Sequence, residues 1–232
     1  MKPYYQDADV TLYHGDCREV RVAPASVDLL IADPPYGVNW QSGRRQLAFD
    51  VLANDGGDFP LLEVLGGLLP ALKRGRHLYV FGLEDFGPLP VAASTELIWD
   101  KEHVNSGDLT LPWGPGHELI RFGCYQISKA NRDDGMHRLA ARMRRHSVIR
   151  CPRINAAAVT RHPTEKPVPL LRELIESSSS MGELVLDPFA GSGSTLVAAK
   201  LEGRRAVGIE LDERYCEVAA QRLAQQVLPF AS

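Results

Sequence analysis

Four consecutive residues, Asp33-Pro34-Pro35-Tyr36, bring together groups that could do chemistry. Two adjacent prolines fix φ and remove two backbone N–H donors. What remains on the outward edge is a rigid pair of acceptors, the Asp33 carboxylate and the Pro34 carbonyl. An exocyclic amine on a heteroaromatic ring has two hydrogens to donate and a lone pair delocalised into the ring. Acceptors held out of the ring plane would draw that amine toward tetrahedral geometry and turn its lone pair toward an electrophile. This is orientational and electrostatic catalysis, with no need for a strong base or a covalent intermediate. Tyr36 offers an aromatic face on which a base can stack. A proline-rich exit from a strand is the structural alternative for the same tetrapeptide.

A second constellation lies near the C-terminus. The run Leu184-Val185-Leu186-Asp187-Pro188-Phe189-Ala190-Gly191-Ser192-Gly193-Ser194-Thr195 is an apolar strand, a glycine turn and a helix start. Gly191 and Gly193 let the backbone approach a ligand closely and turn sharply into the helix. Glu210 follows Gly193 by 17 residues, at the end of the next apolar run. An acid there can accept hydrogen bonds from both hydroxyls of a ribose. A triphosphate is unsuited to the turn, because no Gly-Lys-Ser/Thr ending is present. A dinucleotide turn would want its third glycine near Thr195 or Leu196, and none is there. Asp187 before the turn and the bulky Phe189 inside it suit a cationic nucleoside without phosphates. S-adenosylmethionine fits that description; a glycine-rich connection with no ligand is the alternative.

These groups need a frame. Short apolar runs closed by turn residues predict strands over 10–14, 27–32, 77–81, 96–99, 118–122, 184–186 and 205–209. Helices are predicted over 60–72, 168–178, 194–201 and 213–227. The last repeats Tyr215, Val218, Ala219, Leu223 and Val227 near the helical period, behind Asp212 as N-cap. Strands alternating with helices predict an α/β fold with a mostly parallel sheet covered on both faces. Asp33, Asp187 and Glu210 then all fall at carboxyl ends of parallel strands, where ligands bind in open α/β sheets. Residues 37–59 and 105–116 read as loops, and loops that long inside a compact domain are usually functional. Trp40 and Phe49, in the first of them, could stack bases or cover the core.

Composition narrows the classes. The chain has 232 residues, 44% hydrophobic and 24% charged, which is ordinary for a globular protein and excludes a disordered or fibrous one. The length suits one domain with an elaboration. No stretch nears the roughly 20 apolar residues that span a bilayer, and the polar first residues do not resemble a secretory signal. Cys17, Cys124, Cys151 and Cys216 lie far apart without a CxxC pair, and the histidines lack metal spacing. No metal site is expected, and a cytoplasmic, reducing location is. The net charge is −3, yet between Arg121 and Arg153 nine basic residues face only two acids. A basic segment on an acidic body suggests a polyanion partner; a solvated surface helix over 136–145 is the plainer reading.

With both motifs in hand, the sequence resembles the S-adenosylmethionine-dependent DNA amino-methyltransferases of the N6-adenine/N4-cytosine group. Asp33-Pro34-Pro35-Tyr36 is similar to their catalytic motif, and Asp187-Pro188-Phe189-Ala190-Gly191-Ser192-Gly193 to their cofactor motif, with Glu210 as the ribose acid. His162-Pro163-Thr164-Glu165-Lys166-Pro167 is similar to the segment preceding the cofactor motif. There the resemblance implies that Thr164 and Lys166 meet the methionine end of the cofactor, Lys166 at its carboxylate. Gly15-Asp16-Cys17 also looks like family sequence and implies Asp16 near the cofactor adenine. Trp99-Asp100-Lys101 and Gly116-His117-Glu118 resemble further family positions. The implied cofactor pocket comprises Asp16, Cys17, Asp33, Thr164, Lys166, Asp187, Phe189, Ala190, Gly191, Ser192, Gly193, Ser194, Thr195, Glu210 and Leu211.

The catalytic motif precedes the glycine motif, with the basic stretch between them, which is the circularly permuted beta-class order. The resemblance therefore implies a Rossmann-like seven-stranded sheet with one antiparallel strand, near 118–122. It implies a single domain over 1–232 with an inserted target-recognition segment over roughly 101–160. It implies a flipped-out adenine in double-stranded DNA as substrate, with Asp at the first motif position favouring adenine over cytosine. Arg142, Arg144, Arg145 and Arg150 are the candidates for holding phosphates. A homodimer and a cognate restriction endonuclease are further partners that the class suggests. The same chemistry on cytosine N4 or on RNA stays open, as does an inactive nucleic-acid-binding homologue. Two intact motifs argue against the last.

Overall fold

A computed structural model describes residues 1–35, 59–102, 110, 112–114, 116–126, 144–154 and 165–225. Its strands are β1 (Tyr5–Gln6), β2 (Val10–His14), β3 (Val27–Ala32), β4 (Leu72–Phe81), β5 (Val91–Asp100), β6 (His117–Tyr125), β7 (Val148–Arg150), β8 (Leu184–Asp187) and β9 (Arg205–Glu210). Its helices are α1 (Leu61–Leu68), α2 (Val168–Ser178), α3 (Ser194–Leu201) and α4 (Glu213–Gln225). The strands form one mixed sheet in the order β1-β2-β9-β8-β3-β4-β6-β5-β7. Seven of them correspond to the predicted strands; β1 and β7 extend the sheet at its two edges.

The five central strands β2, β9, β8, β3 and β4 are mutually parallel. Strand β6 runs antiparallel to both β4 and β5, which makes it the expected reversed strand. Two reversals bring β5 back to the central direction, and β7 runs parallel to β5. The carboxyl ends of all these strands, together with the start of β6, therefore lie on one edge. Two strands of the expected inserted segment, β6 and β7, are thus part of the central sheet. Between β8 and β3 the register holds at two pairs, Leu29 with Val185 and Leu30 with Leu186.

Strand β3 is buried throughout, as befits a strand covered on both faces. Its alternation divides the core: Leu29 and Ile31 join a cluster under α2, α3 and α4, while Leu30 and Ala32 join a second under α1. Helix α2 turns Leu170, Leu171, Leu174 and Ile175 inward, the spacing of one helical face. Helix α1 is shorter than the predicted 60–72. It gives way at Leu68 to a 3-10 turn over Leu69–Ala71, because Pro70 has no N–H to continue the helix. Strand β9 needs glycine at position 208, where a Cβ would lie 2.6 Å from the Leu196 side chain and 3.1 Å from that of Ala190. That vacancy lets α3 pack flat on the sheet just behind the glycine turn. Among the described residues no helix is long and apolar enough to cross a membrane.

Candidate active site

Asp33 is the first residue after β3, half-buried, with Pro34 buried behind it. Tyr36 lies outside the described residues, as do Trp40 and Phe49. The Asp33 carboxylate accepts a 2.8 Å hydrogen bond from the Lys166 ammonium. Lys166 is 7% exposed and also pairs with Glu118 of β6 at 3.0 Å. Its Nζ lies 4.9 Å from the centre of the Phe81 ring. The second Glu118 oxygen pairs with Lys101 at 2.9 Å. The result is an alternating row of charges, Asp33, Lys166, Glu118, Lys101, across the mouth of the sheet. Burial opposes the charge on Lys166, but the two carboxylates outweigh it and raise its proton affinity. Burial likewise pushes Glu118 up, and the two ammonium groups bring it below its ordinary value.

One strand away, β8 ends in Asp187, which is 3% exposed. Burial pushes its carboxyl up to about 7, and the nearby carboxylates of Asp33 and Glu210 add to that; hydrogen bonds from the Thr195 side chain and the Phe189 amide act the other way. Next along, β9 ends in Glu210, whose oxygens accept from the Gly191 amide at 2.7 Å and the Asp212 amide at 2.8 Å. Its proton affinity is raised, chiefly by burial, with Asp212 contributing. The outermost parallel strand, β2, leads to Gly15, whose amide donates to the Glu210 carbonyl at 2.8 Å. Asp16 follows, tied to Arg18, which lowers its proton affinity. The Cys17 thiol is buried and pushed up to about 11, chiefly by that burial, so it is a packing group. Leu211 is partly exposed at the same rim, and its carbonyl sits 3.1 Å from the His14 imidazole.

The glycine turn itself is shaped by packing. Gly193 has φ +79, and a Cβ there would lie 2.8 Å from that of Ala219 in α4; both facts require glycine. Phe189 stands edge-on to Phe59 with centroids 5.8 Å apart, and Ala190 is buried beneath it. Arg222 of α4 donates to the Ser192 carbonyl at 2.8 Å, the Ser192 hydroxyl at 2.8 Å and the Ser194 hydroxyl at 3.1 Å. The same guanidinium pairs with Glu165 at 2.8 Å. One arginine thus joins the turn to the residue beside Lys166. Its bonds also turn the Ser192 and Ser194 hydroxyls toward α4. Thr164 lies outside the described residues.

The four arginines chosen from the charge count are not equivalent. Arg142 is outside the described residues. Arg144 and Arg145 precede β7 and so sit toward the amino edge of the sheet, away from Asp33. Arg145 pairs with Glu173 at 3.4 Å and with Glu176, both on α2. Arg150, at the carboxyl end of β7, is 76% exposed and only loosely paired with Asp100 at 3.8 Å. Ahead of β6 on that edge, Trp113 is 86% exposed. Sequence reasoning passed over Trp113 and the Arg222 clamp. A lone tryptophan in a loop and an arginine in a polar helix carry no local signature, and only the fold gives them neighbours.

Parallel strand ends bearing three acids, a glycine turn into a helix, and a permuted order of motifs define the chain as an α/β methyltransferase. The model of the N6/N4 DNA methylase family matches residues 94–221, and the chain belongs to that family. It is an S-adenosyl-L-methionine-dependent DNA amino-methyltransferase. Among relatives, it is 28% identical to the DNA adenine methyltransferase YhdJ of Escherichia coli (strain K12), over 92% of this chain and 82% of that one. It is 24% identical to the Type II methyltransferase M2.LlaDCHI of Lactococcus lactis subsp. cremoris, over 96% and 92%. A 62% identity to YubD of Escherichia coli (strain K12) spans only 63 residues, 27% of this chain and 28% of that one. In fold it is similar to the M1.HpyAVI–SAM complex, with a TM-score of 0.65 at 21% identity, covering 92% of this chain and 98% of that one. The cytosine-N4-specific PvuII DNA methyltransferase gives 0.68 at 16%, covering 98% and 91%.

Proposed function

We propose that the protein methylates the exocyclic N6 amine of adenine in double-stranded DNA, and that Asp33 and Pro34 hold that amine. The observation that carries this reading is the position of Asp33, one strand from Asp187 and two from Glu210 on a shared edge. Neighbouring strands lie about 4.8 Å apart, so an amine at Asp33 is within reach of a donor at the glycine turn. The adenine preference is supported by aspartate as the first motif residue and by the 28% identity to an adenine methyltransferase.

The residues at the turn fit S-adenosyl-L-methionine. Gly193, at φ +79, lets the chain turn sharply from β8 into α3, with α4 packed directly against it. Asp187 and Glu210 are buried carboxyls whose proton affinities are raised chiefly by burial, and a cation beside them would relieve that cost. Glu210 would accept from the ribose, Asp16 would face the adenine, and Lys166 would meet the carboxylate while still holding Asp33. When bound, the cofactor supplies an electrophilic methyl group on a positively charged sulfur. Asp33, with one oxygen engaged by Lys166, is a poor base but a fixed acceptor. It and Pro34 would orient the amine; once alkylation has made the nitrogen strongly acidic, its proton would pass by way of the Asp33 carboxylate to water. Glu210→Ala is expected to weaken cofactor binding by about 1–3 kcal/mol, the scale of a lost charged hydrogen bond. Calorimetric titration giving an unchanged Kd would remove Glu210 from the cofactor site.

Duplex DNA would approach the same edge, with residues in the roughly 101–160 segment reading the target. Arg150 is favoured there over Arg145, whose charge is already met by Glu173 and Glu176. Arg150→Ala should flatten the dependence of DNA binding on salt by about one counterion. Arg145→Ala should leave the slope as it was, and fluorescence-anisotropy titrations over a salt series decide between them. The substrate itself is tested by incubating the protein with labelled donor and unmethylated genomic DNA, then separating the nucleosides. N6-methyladenine is the expected product; N4-methylcytosine would replace this reading with the cytosine one.

A further inference from the structure

We infer that Glu118 is a positioning residue which sets how strongly Asp33 accepts the target amine, acting through Lys166. This rests on the reading of Asp33 given above. Lys166 is buried between two carboxylates, 2.8 Å from Asp33 and 3.0 Å from Glu118. An ammonium devoted to Asp33 alone would drain charge from the oxygen that must hold the amine. Glu118 draws on the same ammonium and so leaves more negative charge on Asp33. Lys101, 2.9 Å from Glu118 and more exposed than Lys166, draws in turn on Glu118. Influence on Asp33 therefore alternates in sign along the row.

The surrounding groups preserve this order. On the other flank of Asp33 stands the carboxyl of Asp187 on β8, which interacts with Asp33 and with Glu210 on β9. From β4, Phe81 presents an uncharged ring to Lys166. Beside Lys166, Glu165 is turned to Arg222. His117 precedes Glu118 at the exposed start of β6. Asp187 on β8 lies on the far side of Asp33 from Glu118 on β6, so changes at Glu118 or Lys101 act first on Asp33.

The test is the pH profile of kcat for the full chain at saturating S-adenosyl-L-methionine and duplex DNA. Glu118→Gln keeps the shape and removes the charge. It should lower kcat about tenfold and move the acid-side midpoint to lower pH by about half a unit. Lys101→Met should move that midpoint the opposite way, to higher pH, and Glu118→Asp should restore much of the wild-type profile. Midpoints that stay put, or that move together in one direction, would overturn the inference and leave Glu118 as a tether between β6 and the segment before α2. If Glu118→Gln fails to fold, the direction of the Lys101→Met shift still decides. Full turnover by Asp33→Ala would instead remove the reading on which the inference stands.

Discussion

Asp33→Ala is expected to abolish methyl transfer, a loss of at least about a thousandfold in kcat, while S-adenosyl-L-methionine still binds. The separation follows from the division of the sheet. Asp33 follows β3, whereas the glycine turn follows β8 and Glu210 ends β9. Lys166 keeps a carboxylate partner in Glu118 when Asp33 is removed, so the buried ammonium is not stranded. Asp33→Asn should behave in the same way, because the amide keeps one acceptor but loses the charge. Single-turnover assays beside calorimetric cofactor titrations make the check. Retained turnover would take Asp33 out of the reaction, and lost cofactor binding would move it into the donor site.

The second large effect is on stability and proton uptake, and it comes from Asp187. Burial and the neighbouring carboxylates raise its folded value to about 7 from 3.8. The folded chain thus holds a proton that the unfolded chain releases. The stabilisation is complete below about 3.8 and is lost as pH rises through about 7, a span of about 4 kcal/mol at most. Glu210 shifts in the same direction. His77 opposes them. Burial, reinforced by Arg76, lowers it to about 4 from 6.5, so its contribution is present above 6.5 and lost as pH falls toward 4. Between about 4 and 6.5 the two effects offset each other. Asp187→Asn should therefore give a melting temperature that climbs from pH 4 to 6.5 and then levels. His77→Gln should give one that declines from pH 4 to 7. Melting curves for Asp187→Asn and wild type that keep the same pH dependence would contradict the assignment. A cationic ligand beside Asp187 should also expel its proton. Cofactor titrations at about pH 6 in buffers of different ionisation enthalpy would show that release.

The parts of the site that could be read from the sequence are those written contiguously. Asp33-Pro34-Pro35 and the run from Asp187 to Thr195 each place their groups within one strand exit, and the strand that follows puts Glu210 beside them. Their meeting on one edge follows from parallel strands alone. The charge row across the mouth was harder to see, because Asp33, Lys101, Glu118 and Lys166 come from four separate segments. Lys166 was expected at the cofactor and is held on Asp33; the two roles are compatible in one ammonium. Counting arginines located a basic segment but not its facing; Arg145 pairs with Glu173 and Glu176 of α2. Strand limits were missed where pairing overrides local pattern. The exposed run Ala92–Thr95 lacks alternation yet extends β5, since β6 pairs on both sides of an irregularity at Ala93 and Ser94. Strand β4 begins at Leu72 although Gly75 has φ +75, a conformation invisible in an apolar count. The predicted end of the last helix, at 227, lies outside the described residues.

The junction of β3 and β8 has one more consequence. On the reading proposed above, the glycine turn after β8 and Glu210 at the end of β9 would hold the donor, Asp33 after β3 would hold the acceptor, and Lys166 would stand between them. The reach from one reactant to the other would then be set by backbone pairing at a buried seam, Leu29 with Val185 and Leu30 with Leu186, and not by a surface segment. Target-reading loops could then be exchanged between related enzymes, changing which base is presented without retuning the transfer itself.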